Sequence, residues 1–218
     1  MPSRIESVFP ETDREAIRAA TVAAEARTAA ELVVYVAERS DPHPEVGWKG
    51  ALLGGAWGAL FGALAVWIFG GWGAPDYLWI LIGLQLGLMG GWLASRFESV
   101  ARRLIDREAL EGRVTRRAAE AFVSERVFAT KGRTGVLIFV ALFEHRVVIL
   151  ADEGVTAHVE ASAWEAISNE LGRGIRKGTA TLAMLRAIDR CADLLEERGV
   201  AGPDETNQLS DEPRFHDE

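Results

Sequence analysis

Two stretches of the chain carry no charged side chain: Gly50 to Gly71 and, after Asp76, Tyr77 to Ser95. Each is about 20 residues, enough at a 1.5 Å rise per residue to cross a hydrocarbon core roughly 30 Å thick. The pattern predicts a transmembrane helical hairpin within 46–96, with spans at about 50–71 and 77–95. Gly50, Gly54, Gly58 and Gly62 in the first span, and Gly83, Gly87 and Gly91 in the second, recur at every fourth position. That spacing lines each set along one helical stripe, and in lipid such small-residue stripes let two backbones approach closely. We expect the stripes to face each other; the other reading is a homo-oligomer seam, and Gln85 at mid-span fits either arrangement. Trp48, Trp72, Trp79 and Trp92 fall near the span ends, where indoles prefer the interface, while Trp57 and Trp67 lie deeper.

Charge at the ends of the hairpin sets an expected orientation. The connection from Gly71 to Asp76 contains no Lys or Arg, whereas Arg39 and Lys49 precede the hairpin and Arg96, Arg102, Arg103 and Arg107 follow it. The positive-inside rule then places both termini and the soluble part in the cytoplasm, with the lipid bilayer of the inner (plasma) membrane as the first partner. Met1 to Glu6 lacks an apolar segment of the kind a secretory signal needs, so the spans themselves direct insertion.

Outside the hairpin the pattern alternates between helical and strand periods. Thr12-Asp13-Arg14-Glu15 has the spacing of a capping box, and Ile17 to Ala26 continues as an Ala-rich helix. Glu31 to Glu38 is β-branched and almost wholly apolar, which predicts a strand covered on both faces. Asp41-Pro42-His43-Pro44 reads as a linker into the membrane. From Arg96 to about Phe128 apolar residues recur at helical intervals among charges, with Gly112 the expected break. Its arginines bind anionic headgroups or pair with Glu98, Asp106, Glu108 and Glu111; both readings stay open.

Lys131 to Thr134 is a loop before strands at 135–143 and 146–151, joined through Glu144 and His145 as a hairpin. A helix around Trp164 to Leu171 follows, then a loop with Gly172, Gly174 and Gly178. A last helix runs from about Thr179 to Arg198, closed by Gly199. Residues 201–218 read as a disordered acidic tail. One strand cannot form a core, so residues 1–45 are expected to join 97–200 in a single α/β domain that the hairpin interrupts.

Composition narrows the partners. A formal net charge of −8 argues against a general nucleic-acid binder, which needs a basic surface. Cys191, the single cysteine, can form neither an internal disulfide nor a cysteine-rich zinc site and reads as a small buried thiol.

Ala24 to Val34 resembles the opening helix-to-strand motif of the TPM domain family, and Gly135 to Val140 with Leu142 to Val155 resembles its paired strands and the acidic turn after them. The resemblance covers roughly residues 8–40 and 115–198, and the chain also looks like the bacterial subgroup in which a membrane hairpin is inserted between the first strand and the following helix. It implies an αβα sandwich with a small central sheet. It also implies a role in maintaining or modulating membrane complexes or, for some members, calcium-dependent acid phosphatase activity. Metal-binding members carry Asp-Asn-Gly just before the second strand; Arg133-Thr134-Gly135 stands here, so a carboxylate is missing from any calcium site.

Candidate chemistry is sparse. Glu144, His145, Asp152, Glu153 and His158 form the polar cluster nearest the strand hairpin, but Glu144 and Asp152 stand at opposite ends of a strand about 20 Å long. Solvated turn residues are expected at Glu144 and His145, and a turn or helix cap at Asp152 and Glu153. Asp152 remains the best catalytic or metal candidate, with Glu153 beside it, because it follows a buried strand. Arg173, Arg176 and Lys177 among the glycines form a weaker candidate anion-binding loop. No cofactor is expected from the residues themselves; calcium enters only through the resemblance. The expected function is a non-catalytic, membrane-tethered interaction or assembly module for a membrane protein complex. The alternative is a weak metal-dependent phosphomonoester hydrolase.

Overall fold

The computed structural model describes residues 4–40, 45–70, 75–105, 107–200 and 209–216. The chain forms two compact units, residues 42–110 and residues up to 41 together with 111 onward. The expected Asp41–Pro44 linker, the tip at 71–74 with Trp72, and Asp106 lie outside the described residues.

The first of these units is dominated by two helices, α3 (Glu45–Phe69) and α4 (Asp76–Ala94). At 1.5 Å per residue they are about 38 and 28 Å long, and both are long and apolar enough to cross a membrane. Gly70 closes α3 in a left-handed conformation, its N–H donating to Val66 O at 2.9 Å. Trp67 sits in the last turn of α3, 82% exposed, rather than deep in the span.

The glycine stripes face each other. A Cβ built on Gly50 would lie 2.6 Å from Gly91 O, one on Gly62 would lie 2.9 Å from Trp79 O, and those on Gly54, Gly58, Gly83, Gly87 and Gly91 would collide with the carbonyl oxygen of the opposing glycine. The helices therefore meet backbone to backbone, and the stripe that a self-association seam would use is covered within the hairpin. Gln85 is exposed on α4, away from this contact. Most large apolar side chains of both helices, among them Trp57, Phe61, Leu81 and Met89, point outward. Next comes α5 (Glu98–Leu104), whose Leu104 O accepts from Lys49 Nζ at 3.3 Å.

The second unit is mixed α/β. It opens with α1 (Arg4–Val8), α2 (Glu11–Glu25) and β1 (Glu31–Ala37). It resumes in α6 (Arg107–Ser124), a 3-10 turn at Val127–Ala129, β2 (Gly135–Ala141), β3 (Arg146–Ala151), α7 (Glu153–Thr156), α8 (Ala161–Arg176), α9 (Ala180–Glu197) and β4 (Arg214–His216). The sheet order is β3-β2-β1-β4. β1 pairs parallel with β2, starting at Glu31↔Gly135, and β3 runs antiparallel to β2.

Every residue of β1 and β2 is buried, because the two strands are central and both faces are covered. Val136, Ile138 and Val140 face a core shared with α2, α8 and α9, whereas Leu137, Phe139 and Ala141 face Val114, Ala118 and Ala121 of α6. This is why both strands read as continuous apolar runs and not as an alternation.

Several boundaries differ from the expectations above. Pro10, with φ −57°, takes the N-cap of α2, and its carbonyl accepts from Asp13 and Arg14, so Thr12 lies inside the helix and forms no capping box. The long amphipathic segment breaks at Ile105, whose backbone is extended, and not at Gly112, which sits within α6. Burial of the Ile105 side chain favours the turn there. Gly172 and Gly174 belong to α8 rather than to a loop. A Cβ on Gly174 would strike Ala183 Cβ, so that glycine lets α8 cross α9 closely. Gly199 behaves as expected: φ is +78°, its N–H donates to Glu196 O, and Val200 N–H donates to Leu195 O.

The tail is corrected most. Residues 209–216 fold back, and β4 adds to the free side of β1 in parallel. Phe215 packs against the core with Arg14 4.4 Å above its ring, His216 stacks on Tyr35, and Arg214 pairs with Glu125 at 2.8 Å. Two rings, Phe215 and His216, and three register pairs with β1 seat a strand that comes from a polar stretch of sequence. Residues 201–208 and 217–218 lie outside the described residues.

The hairpin geometry makes a sharp contrast. Gly54→Ala with Gly87→Ala forces the helices apart and lowers the thermal stability of the full-length protein in mild detergent by about 1–3 kcal/mol, the usual range for overpacking. Gly90→Ala, where a Cβ meets open space inside α4, does not lower the melting temperature.

Candidate functional site

Asp152 follows β3, is 5% exposed, and stands at the N-cap of α7. Its Oδ1 accepts from Glu153 N–H at 2.8 Å and from Arg133 Nη2 at 2.9 Å, while Arg133 Nε lies 2.9 Å from Oδ2. The guanidinium thus holds the carboxylate through one hydrogen bond to Oδ1, while Oδ2, close to Nε, is buried without a hydrogen-bond donor of its own. Arg133 reaches it because its own backbone is left-handed, with φ +54°, at the end of the turn that begins at Thr130. That turn is pinned by Thr134 Oγ1 donating to Ala29 O at 2.7 Å and by Gly154 N–H donating to Arg133 O at 2.9 Å. A Cβ on Gly154 would press on Arg133 O at 2.8 Å, so only glycine admits this approach.

A carboxylate in this setting is a cap and an ion-pair partner before it is a base. Calcium takes roughly six to eight oxygen ligands. Only exposed Glu153 accompanies Asp152, Arg133 already contacts both carboxylates, and no group of three acidic, His or Cys side chains suited to a metal occurs among the described residues. The residues present do not fit a calcium site.

The remaining candidates do not join Asp152. Glu144 and His145 belong to the turn at the other end of β3. Glu144 is 7% exposed, not solvated as expected: its Oε1 accepts from Ser40 N at 3.0 Å and Ser40 Oγ at 2.7 Å, tying the segment after β1 to this turn. His145 is left-handed at φ +51°, and His158 is exposed beyond α7. Arg173 and Arg176 occupy the last turn of α8, and Lys177 is its C-cap. That end of a helix carries a partial negative charge, so the three cations stabilise α8 in place of lining an anion-binding N-terminus. Arg176 Nη1 also donates to His145 O at 3.3 Å. Burial pushes the Cys191 thiol up to about 12, which leaves it unreactive.

A carboxylate cluster forms where the sequence carries no sign of one. Glu25 ends α2, Glu31 begins β1, and Asp211 belongs to the returning tail. Burial raises Glu25 to about 8 against the pull of its hydrogen bond from Leu32 N at 2.8 Å, and Asp211 and Glu31 push the same way as burial. Glu31 Oε2 also accepts from Leu209 N–H at 3.2 Å. Nothing in the spacing announces this cluster, since it exists only once the tail has folded back.

No family model matches the chain, and no curated protein matches it. Among solved structures the fold is similar to the NMR structure of BA42 protein from the psychrophilic bacterium Bizionia argentinensis. The TM-score is 0.59 at 17% identity, over 97% of this chain and 98% of that one. The likeness defines a known α/β fold and carries no activity with it.

Two measurements probe these contacts. Asp152→Ala removes both a cap and an ion pair and lowers stability by about 1–3 kcal/mol, while Asp152→Asn, which keeps the cap acceptor, costs less. Glu25 holds its proton in the folded state over a range where the unfolded carboxyl, at 4.5, is ionised. The folded protein therefore binds more protons between pH 4.5 and about 8, and stability falls as pH rises through that window. Glu25→Gln flattens the slope, as read from melting temperatures across the same range.

Proposed function

We propose that the chain is a membrane-anchored α/β domain of the TPM type, an αβα sandwich interrupted by an inserted transmembrane hairpin. In this reading it serves as a non-catalytic interaction or assembly module for a membrane protein complex. The spans lie in the bacterial inner membrane, with both termini and the α/β unit in the cytoplasm, on the charge bias at the hairpin ends.

The observation that carries the non-catalytic reading is the commitment of Asp152: the carboxylate best placed for chemistry is held by Arg133 and caps a helix. A hydrolase using it would have to break an ion pair to free a general base or an oxygen ligand. Two further features support the membrane part. Almost no residue in the apolar stretches of the two long helices is fully buried within the chain, unlike the core helices of a water-soluble protein, and they meet through glycine backbones, as helices do where no hydrophobic force drives them together.

The full-length protein stays in the membrane pellet through an alkaline carbonate wash; extraction into the supernatant would remove the anchoring. A cysteine introduced at exposed Ser162 reacts with an impermeant maleimide in inside-out vesicles and not in intact cells, since buried Cys191 gives no background. In mild detergent after crosslinking, the protein is recovered with at least one other membrane protein. Millimolar calcium leaves its melting temperature unchanged, and any phosphomonoester hydrolysis in the preparation survives Asp152→Asn. Hydrolysis abolished by that substitution would restore the enzyme reading.

A further inference from the structure

The two edges of the sheet are treated differently. On one side β4 covers β1, whereas among the described residues nothing pairs with the outer side of β3. The register tells which backbone groups that leaves. Asp152 N–H donates to Gly135 O at 2.9 Å, and β3 pairs with β2 from Val136↔Ala151 to Ala141↔Arg146. Alternation then turns the N–H and C=O groups of Val147, Ile149 and Ala151 away from β2. They open onto a groove of about 730 Å³ that follows β3 along its length, with Val114 and Thr115 of α6 on one wall and Trp164 and Asn169 of α8 on the other.

Trp164 supplies an independent sign of a missing occupant. Its side chain is 6% exposed and lines the groove, yet its indole Nε1 is buried without a hydrogen-bond acceptor. Buried indole N–H groups are normally paired. The rim is acidic: Glu160 and Glu165 are exposed, while Glu111 is matched by Arg146 at 2.7 Å.

We propose that this groove receives an extended segment of a partner polypeptide, which adds as a fifth strand to β3, offers a backbone carbonyl to Trp164 Nε1, and carries a basic side chain toward Glu160 and Glu165. Alternating donors and acceptors spaced along a strand about 20 Å long are met in full only by another extended backbone. Helices on both sides leave room for a single strand and not for a second sheet with its own covering helices. The proposal rests on the interaction-module reading and names the surface through which it acts.

Full-length protein in lipid nanodiscs is panned against a phage library of random dodecapeptides, with empty nanodiscs as the control. The expected result is enrichment of peptides that alternate β-branched and polar residues and contain Lys or Arg. The best of them, synthesised, slows hydrogen exchange in the segment 146–151 and binds Trp164→Phe about tenfold or more weakly than wild type. Glu160→Gln with Glu165→Gln, which removes both charges without placing a cation at the start of α8, weakens it similarly. Ala151→Pro, which removes an outward N–H and no bond to β2, abolishes it. No enrichment, equal binding to all the variants, or protection elsewhere overturns the proposal. Protection of 146–151 in the free protein together with a doubled mass by light scattering also overturns it, in favour of pairing between copies. If panning fails while crosslinking in native membranes still captures a partner, the groove falls and the module reading stands. If the peptide binds as described and no partner is captured, the groove stands and the module reading falls.

Discussion

Parallel pairing between β1 and β2 is the constraint around which the rest of the α/β unit is arranged. Two parallel neighbours cannot be joined by a turn, because the chain leaves the first at one end of the sheet and must begin the second at the other. Here the return is made by α6, whose Val114, Ala118 and Ala121 lie across one face of the sheet on Val33, Leu137 and Phe139. The opposite face is left to α2, α8 and α9, which contribute the larger core. Both central strands are buried as a result, and their edges must be satisfied by β3 and by the C-terminal strand β4. A crossover of this kind sets no upper limit on its own length, since doubling a loop costs only about 0.6 kcal/mol of closure entropy. Residues 42–110 lie on that connection and form a compact unit of their own.

What could be read from the sequence was whatever a local period encodes. The charge-free runs gave two long helices, and the fourfold glycine spacing gave the face on which they meet, because both depend on residues within a few turns of each other. The strands at 31–37, 135–141 and 146–151 were legible from unbroken β-branched runs. Gly199 could be placed as a cap since the left-handed position after a helix demands it. Misreadings arose where a residue type has two uses. Gly172 and Gly174 suggested a loop, yet in α8 they are contact points; Gly112 suggested a break, yet the chain turns at Ile105. The tail was read as disordered on composition, which averages away the single Phe215 that anchors it.

The candidate site was legible in part. Asp152 was singled out by its place after a buried strand, and its role as a cap was anticipated; that Arg133 would reach its carboxylate was not, because this depends on a left-handed backbone at a residue that seldom adopts one. Arg133 supplies the buried acid with a cation from within the fold, and the two meet only because the turn from Thr130 to Arg133 brings them together. Glu25, Glu31 and Asp211 were invisible for the opposite reason, since their proximity is created by a fold-back from the far end of the chain.

The β1–β2 register also dictates an order of events during synthesis. Glu31 finds its partner only when Gly135, more than a hundred positions later, has emerged. At roughly 5–20 residues per second, the ribosome leaves a largely apolar strand without its neighbour for on the order of ten seconds, while two long hydrophobic helices are made in between. The N-terminal segment thus waits, sticky and incomplete, through the whole passage of the hairpin. A nascent chain of this design therefore carries β1 unpaired until the last of the connection has been made.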